Sequence, residues 1–308
     1  FSLATSLWLL LLSCFRLGWL IDLVSKVAMS GFIMGAASTI VSTQFGTVFG
    51  VKTGQKNFMI VCYNLLCNIK STNFVSLGIG IITMILIHYC DLYSKYKRFK
   101  SPIPSQIILV IIFTIICTVF NFRERYGIEV LGDIEMGYPK PVLPSFLLLF
   151  SNINYILLSL PAAMVCFVIG SSVSQQMAEK DHTKLNNNQE LFALGAVNFL
   201  GSFVNCYLSS GSLSRSVVVE ACNAATQLWN LATGVVMALV IWIAAPFLYN
   251  LPKCVLAAIL IISMRSLCLK IFDIPQIFRQ SFAEGIVHVI TFLTTICINI
   301  QTGVAVAF

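Results

Sequence analysis

The sequence predicts an all-α, polytopic membrane protein, and three observations predict it. Hydrophobic residues make up 58% of its 308 residues, charged residues make up 10%, and apolar stretches of bilayer-crossing length recur along the chain. An ordinary soluble domain is about a quarter charged. A chain this apolar cannot hide its nonpolar surface in one water-soluble core, so the bilayer must solvate much of it. A spanning helix needs about 20 apolar residues. Such runs lie at roughly 3–24, 27–51, 74–90, 103–120, 145–177, 190–208, 226–249, 252–269 and 284–308. They are continuous, unlike the short alternating segments of a transmembrane barrel.

In chain order, the first run carries Arg16, expected to pair with a polar group or to snorkel, with no role in transport. The run 27–51 is rich in small and hydroxyl residues, from Ser30, Gly31, Gly35, Ala36 and Ala37 to Ser42 and Thr43. Helices of this composition pack closely against other helices. Residues 55–70 read as an amphipathic interfacial helix. The loop after the third run holds Lys95, Lys97, Arg98 and Lys100, which places it on the cytoplasmic side. Counting one crossing per run, 121–144 is then outside, and 22–26 and 179–189 are cytoplasmic. Lys52, Lys56 and Lys70 fall outside, against the rule. Arg123, Glu124, Arg125 and Glu129 read as a solvated outer loop. Asn187 and Glu190 have the spacing of a helix-capping box, a structural role for Glu190. Both chain ends read as cut from a longer protein, because the chain starts at Phe1 without a signal peptide and stops within an apolar run.

Several chemistries find no pattern. The eleven cysteines are scattered through apolar runs without a CxxC, which suits small hydrophobes and not a disulfide framework or metal site. His88, His182 and His288 are far apart in sequence. No zinc-protease, nucleophile-elbow or phosphate-loop motif occurs, so neither an enzyme nor a cofactor is expected. The net charge of +7 fits cytoplasmic lysines first and attraction of anions second.

One place breaks the apolar pattern. Leu208-Ser209-Ser210-Gly211-Ser212-Leu213-Ser214-Arg215-Ser216 lies between two apolar runs and is too short and polar to span. A broken helix at membrane depth is what a substrate site at the bilayer midplane requires. If a helix starts near Gly211, the amides of Ser212, Leu213 and Ser214 point at whatever sits there, with the positive end of the dipole. Gly211 lets the backbone approach, Ser212 and Ser214 add hydroxyls, and Arg215 adds a permanent charge. Together these make an anion site without metal. Ser212, Arg215 and Ser216 are spaced to share a face. A polar helix cap with a snorkelling arginine explains the same residues about equally well, and an arginine at membrane depth tips the balance toward function.

The run Asn188-Gln189-Glu190-Leu191-Phe192-Ala193-Leu194-Gly195, then Asn198, Gly201-Ser202-Phe203 and Gly211 to Ser216, resembles the signature of the SulP sulfate-permease family. Arg16-Leu17-Gly18, Ser30-Gly31-Phe32, Phe49-Gly50-Val51-Lys52-Thr53, Val130-Leu131-Gly132 and Leu251-Pro252 fall in family order, so the resemblance covers the whole chain. It implies a fold of fourteen segments in two inverted repeats of seven, with segments four to fourteen present. Segment four would lie at 1–25 and gate segments five to seven at 26–122. An extracellular loop would occupy 123–147. Core segments eight to eleven would follow at 148–250, with a half-helix near 211–222, and gate segments twelve to fourteen at 251–308. Segments one to three and a cytoplasmic STAS domain would belong to the longer chain.

The resemblance also implies an anion held between half-helices of segments three and ten, with Ser214 and Arg215 matching the family's serine–arginine pair. Where proton-coupled members carry a glutamate in segment eight, this chain has Ile169, which points to exchange or an uncoupled pathway. The glycines that commonly follow segment ten are replaced by Asn223-Ala224-Ala225. The expected function is therefore a secondary anion transporter or exchanger for chloride, bicarbonate, sulfate, oxalate or similar. It would work by an elevator-like movement of core against gate, and bind at Gly211, Ser212, Leu213, Ser214 and Arg215. Alternatives are a channel-like or voltage-responsive, prestin-like member, and a membrane scaffold or inactive fragment that transports nothing. A nucleobase symporter shares the fold but would want acidic residues facing its substrate, against Ile169 and Arg215. Expected partners are small anions and membrane lipids, with no nucleic acid, a homodimer in the full-length protein, and the plasma membrane as location.

Overall fold

The computed structural model describes the chain apart from residues 21–24, 52–57, 97–104, 133–140, 144–152, 182, 213–214, 217–218, 220–225, 245–246, 300–301, 304–305 and 307–308. The described residues are almost entirely helical. In order come α1 (Ser2–Cys14), α2 (Lys26–Phe49), α3 (Phe58–Cys67), α4 (Phe74–Tyr96), α5 (Ser105–Val119), the short α6 (Phe122–Tyr126), α7 (Ile153–Asp181), α8 (Asn187–Ser202), α9 (Leu228–Leu239), α10 (Lys253–Cys268), α11 (Ile274–Gln280) and α12 (Phe282–Cys297). Strand pairing among them is limited to an isolated antiparallel bridge, Val130 to Pro252.

Among the described residues, four stretches of helix are long and apolar enough to cross a membrane: Val27–Phe49, Phe74–Tyr93, Ile156–Gln175 and Lys253–Gln280. The other apolar helices among the described residues, Ser2–Cys14, Phe58–Cys67, Ser105–Val119, Leu228–Ile243 and Phe282–Cys297, are shorter. Arg16 adopts a left-handed conformation (φ 55°) just beyond α1, so it ends the first helix and does not lie inside a span. The run at 226–249 is α9 continued by a π-helical turn at Val240–Ala244. Residues 58–67 form the helix expected there, but it is not amphipathic. Met59, Ile60, Tyr63 and Leu66 are exposed while Val61 is buried, so apolar side chains cover most of its circumference.

The chain divides into two compact units, residues 1–29 with 139–230 and 301–308, and residues 30–138 with 231–300. In the first, α1 packs on α7 and α8. The Trp8 indole donates to the Ile156 carbonyl at 3.0 Å, and the Ser13 hydroxyl donates to the Asn188 carbonyl at 3.1 Å. The hydroxyls of Thr5 and Ser6 are fully buried in this packing and are satisfied by the carbonyls of Phe1 and Leu3. α8 is capped by Asn186, whose side chain accepts from the amides of Asn188 and Gln189. The cap is thus one residue earlier than Asn187. Glu190 does not close a capping box, because its carboxylate accepts instead from the Ser174 hydroxyl of α7 at 2.7 Å.

The second unit fulfils the packing expected of the small-residue run. A Cβ on Gly31 would lie 2.5 Å from the His288 carbonyl oxygen, and one on Gly35 would lie 2.7 Å from Thr295, so α2 and α12 approach as closely as backbones allow. Ile79, Ile87, Leu109, Phe113, Ile128, Leu251 and Val255 form a core beside α4, α5 and α10. The start of α10 is clipped by Leu131 N–H to Leu251 O (2.9 Å) and Lys253 N–H to Glu129 O (2.9 Å). The 123–129 cluster is therefore more than a solvated loop. The Arg123 guanidinium lies over the Tyr249 ring, 5.4 Å from its centroid, and donates to the Tyr249 hydroxyl. Glu129 pairs with Lys253 at 3.4 Å.

Candidate functional site

The site in the first unit is built by a reversal of the chain after α8. Asn205 takes a left-handed turn (φ 53°) and Cys206 N–H bonds back to Gly201 O at 3.0 Å, ending the helix. The chain then returns beside α8 in non-helical form from Cys206 to Ser212. A helical turn follows. Ser216 N–H donates to Ser212 O at 3.0 Å, and Arg215 and Ser216 are helical.

Non-helical backbone among transmembrane helices needs side chains to satisfy its polar groups. Asn198 of α8, 3% exposed, performs this for Ser209. Its Oδ1 accepts from Ser209 N–H at 2.7 Å, and its Nδ2 donates to Ser209 O at 2.9 Å and to Leu194 O at 2.8 Å. The amide thus pairs with both backbone groups of one residue, as a neighbouring strand would. On α7, the Cys166 thiol donates to Ser209 O at 3.0 Å, and the Ser210 hydroxyl donates to Cys166 O at 2.8 Å. One turn further on, a Cβ on Gly211 would lie 3.1 Å from the Gly170 Cα and 3.3 Å from the Val173 Cβ. Any side chain there would have to push α7 away by a few tenths of an ångström.

This anchoring fixes depth. Cys166 sits midway along the apolar span Ile156–Gln175, about 15 Å from either end at 1.5 Å per residue. Ser209 and Ser210 therefore lie against the middle of that apolar span, and Gly211, beside Gly170 and Val173, lies nearer its Gln175 end. Ile169 is on the α7 face shared by Cys166 and Val173, toward the same stretch, and is half-buried.

Of the residues expected at the site, Gly211 is half-buried against α7, Ser212 is half-buried, and Arg215 is exposed on the helical turn that follows. The bond between Ser212 and Ser216 puts Ser212, Arg215 and Ser216 on one side of that turn. Leu213 and Ser214 lie outside the described residues. Sequence reasoning missed Cys166, Gly170 and Asn198 as the groups that hold the break in place. The signal for Asn198 was present, since an amide inside an apolar run must find partners. Cys166 read as a small hydrophobe because nothing in sequence places it opposite a bare carbonyl.

The profile of the Sulfate permease family matches residues 1–291. The chain belongs to that family. Among curated relatives, mouse sulfate anion transporter 1 is 28% identical over 98% of this chain and 43% of its own length. Zebrafish prestin is 33% identical over 96% of this chain and 40% of its own length. The chain thus spans well under half the length of these relatives. Among solved structures, the murine anion transporter SLC26A9 in its inward-facing state superposes with a TM-score of 0.90 at 23% identity, over 99% of this chain and 50% of that one. The transmembrane domain of the cyanobacterial bicarbonate transporter BicA gives 0.78 at 19% identity, over 99% and 74%. The fold is therefore the multi-pass, inverted-repeat membrane fold of this family.

Proposed function

We propose that the full-length protein is a secondary anion transporter whose substrate binds at the N-terminus of the helix that starts at Ser212. The observation that carries this reading is a non-helical break held against the apolar span of α7 by Asn198, Cys166 and Gly170, with a helical turn from Ser212 to Ser216 directly after it. A helix N-terminus presents amides without intrahelical partners and the positive end of the dipole. At that depth it favours an anion and little else. In this proposal Gly211 admits the anion to the backbone, Ser212, Leu213 and Ser214 supply amides and hydroxyls, and Arg215 balances the charge.

No bond is made or broken in such a cycle, so the protein acts as a carrier and not an enzyme. Ile169 provides no protonatable group beside the break, which favours exchange over proton symport. The core assigned to 1–25 and 148–250 would move against the gate assigned to 26–122 and 251–308, in the manner of an elevator. Chloride, bicarbonate, sulfate and oxalate are the candidate cargoes, the plasma membrane the proposed location, and a homodimer the proposed assembly. The test is uptake of radiolabelled sulfate, and of chloride in exchange, by the full-length protein with Arg215→Gln. A loss of tenfold or more in apparent affinity is expected; unchanged affinity and selectivity would remove Arg215 from the site. The relationship to prestin favours one second reading, a voltage-responsive member with little net flux. Anion-dependent membrane capacitance without uptake would select it.

A further inference from the structure

Arg265 of α10 lies in the second unit with its Nη1 3.0 Å from His88 Nδ1 of α4. A guanidinium can only donate, so Nδ1 accepts and the imidazole carries its hydrogen on Nε2. That leaves a permanent positive charge held by a neutral partner. Among the described residues no carboxylate comes within ion-pair distance of Arg265; the pair found there is Lys253–Glu129. Asp91, one turn beyond His88, is exposed and does not close the gap.

The surroundings are those of a lipid-facing surface. Ile81, Ile85 and Leu92, spaced to share a stripe of α4 with His88, are 45%, 48% and 49% exposed. Tyr89 and Tyr93, 66% and 49% exposed, flank the pair at the end of the span Phe74–Tyr93. Tyrosines in that position mark the headgroup level of a bilayer. His88 is five residues from Tyr93, about 7 Å along the helix, which an extended guanidinium can cover. The basic stretch Lys95, Lys97, Arg98 and Lys100 follows directly in sequence and puts this end in the cytoplasmic leaflet, where anionic lipids concentrate.

We infer that Arg265, oriented by His88, is the headgroup site for an anionic phospholipid of the cytoplasmic leaflet. The lipid phosphate would take the guanidinium N–H groups that His88 does not, while its chains lie along Ile85 and Leu92. An uncompensated arginine on such a face needs an anion. A phosphate is the one that the membrane supplies at this depth.

The test uses the full-length protein purified in a neutral detergent and titrated with phosphatidylglycerol, phosphatidylcholine or inorganic phosphate, with retained lipid read by native mass spectrometry. Wild type should retain phosphatidylglycerol in preference to phosphatidylcholine. Arg265→Gln should weaken that retention about fivefold, the equivalent of about 1 kcal/mol for one juxtamembrane cation. His88→Phe, which keeps the charge but frees its orientation, should weaken it less, and it serves if Arg265→Gln does not fold. Equal retention by wild type and both variants would overturn the proposal. So would displacement of the lipid by millimolar inorganic phosphate, which would make this a site for soluble anions. A shift from dimer to monomer in Arg265→Gln with lipid retention unchanged would make the face an interface between copies, and would equally overturn it.

Discussion

Replacing Asn198 by Leu keeps the side-chain volume of α8 nearly constant and removes the one group that bonds both the N–H and the C=O of Ser209. Wild type makes three bonds there, at 2.7, 2.8 and 2.9 Å. The Leu194 carbonyl keeps its place in the helix, so the cost falls on Ser209 N–H and C=O. Each buried polar group left without a partner costs about 1–3 kcal/mol. Side-chain hydrogen bonds between transmembrane helices average only about 0.6 kcal/mol, because the unfolded reference finds other partners. The larger figure applies here, since Ser209 lies in a non-helical stretch with no intrahelical acceptor for its N–H, and the Cys166 thiol is a weak donor to its carbonyl. A loss of about 2 kcal/mol or more is expected, seen as a fall of several degrees in Tm of the full-length protein in neutral detergent. Asn198→Asp should do no better. It keeps the acceptor for Ser209 N–H but sets a carboxylate oxygen against the carbonyls of Ser209 and Leu194. Uptake should fall further than stability, because the helix start at Ser212 is positioned by the same contacts. A Tm within a degree of wild type for Asn198→Leu, with normal uptake, would refute the argument that this amide holds the break.

Two further substitutions, one in each unit, have expected outcomes. Gly211→Val places branched methyls where a bare Cβ already lies 3.1 Å from the Gly170 Cα. It should abolish sulfate uptake at an overpacking cost of about 1–3 kcal/mol, with Gly211→Ala milder in both Tm and uptake. Lys253→Met breaks an ion pair whose side chains are 43% and 49% exposed. It should move Tm by no more than a degree, as such pairs contribute under about 1 kcal/mol, while the backbone clip at Lys253 N–H persists.

Legibility in the sequence differs between the fold and the site. The apolar runs announced membrane helices, because burial in lipid imposes composition over whole segments. The small residues of 27–51 announced close packing, and Gly31 and Gly35 are where it occurs. Helix ends were harder. Arg16 and the cap at Asn186 depend on single backbone conformations, which an apolar pattern does not encode to the residue. The pairing of Arg123 with Tyr249 was hidden because the two are 126 residues apart.

At the site, the polar break at 209–216 was visible in the sequence alone, and so were the glycine, serines and arginine on which the proposed anion site rests. Composition determines these, because a polar stretch between apolar runs has to be accounted for wherever it lies. The sequence could not say at what depth the break sits or what keeps it open. Those were decided by tertiary structure, when Asn198 and Cys166, distant in sequence from each other, met the Ser209 peptide halfway along α7. The physical reason is that a broken backbone in a membrane exists only where other helices satisfy it, and that satisfaction is a property of their packing.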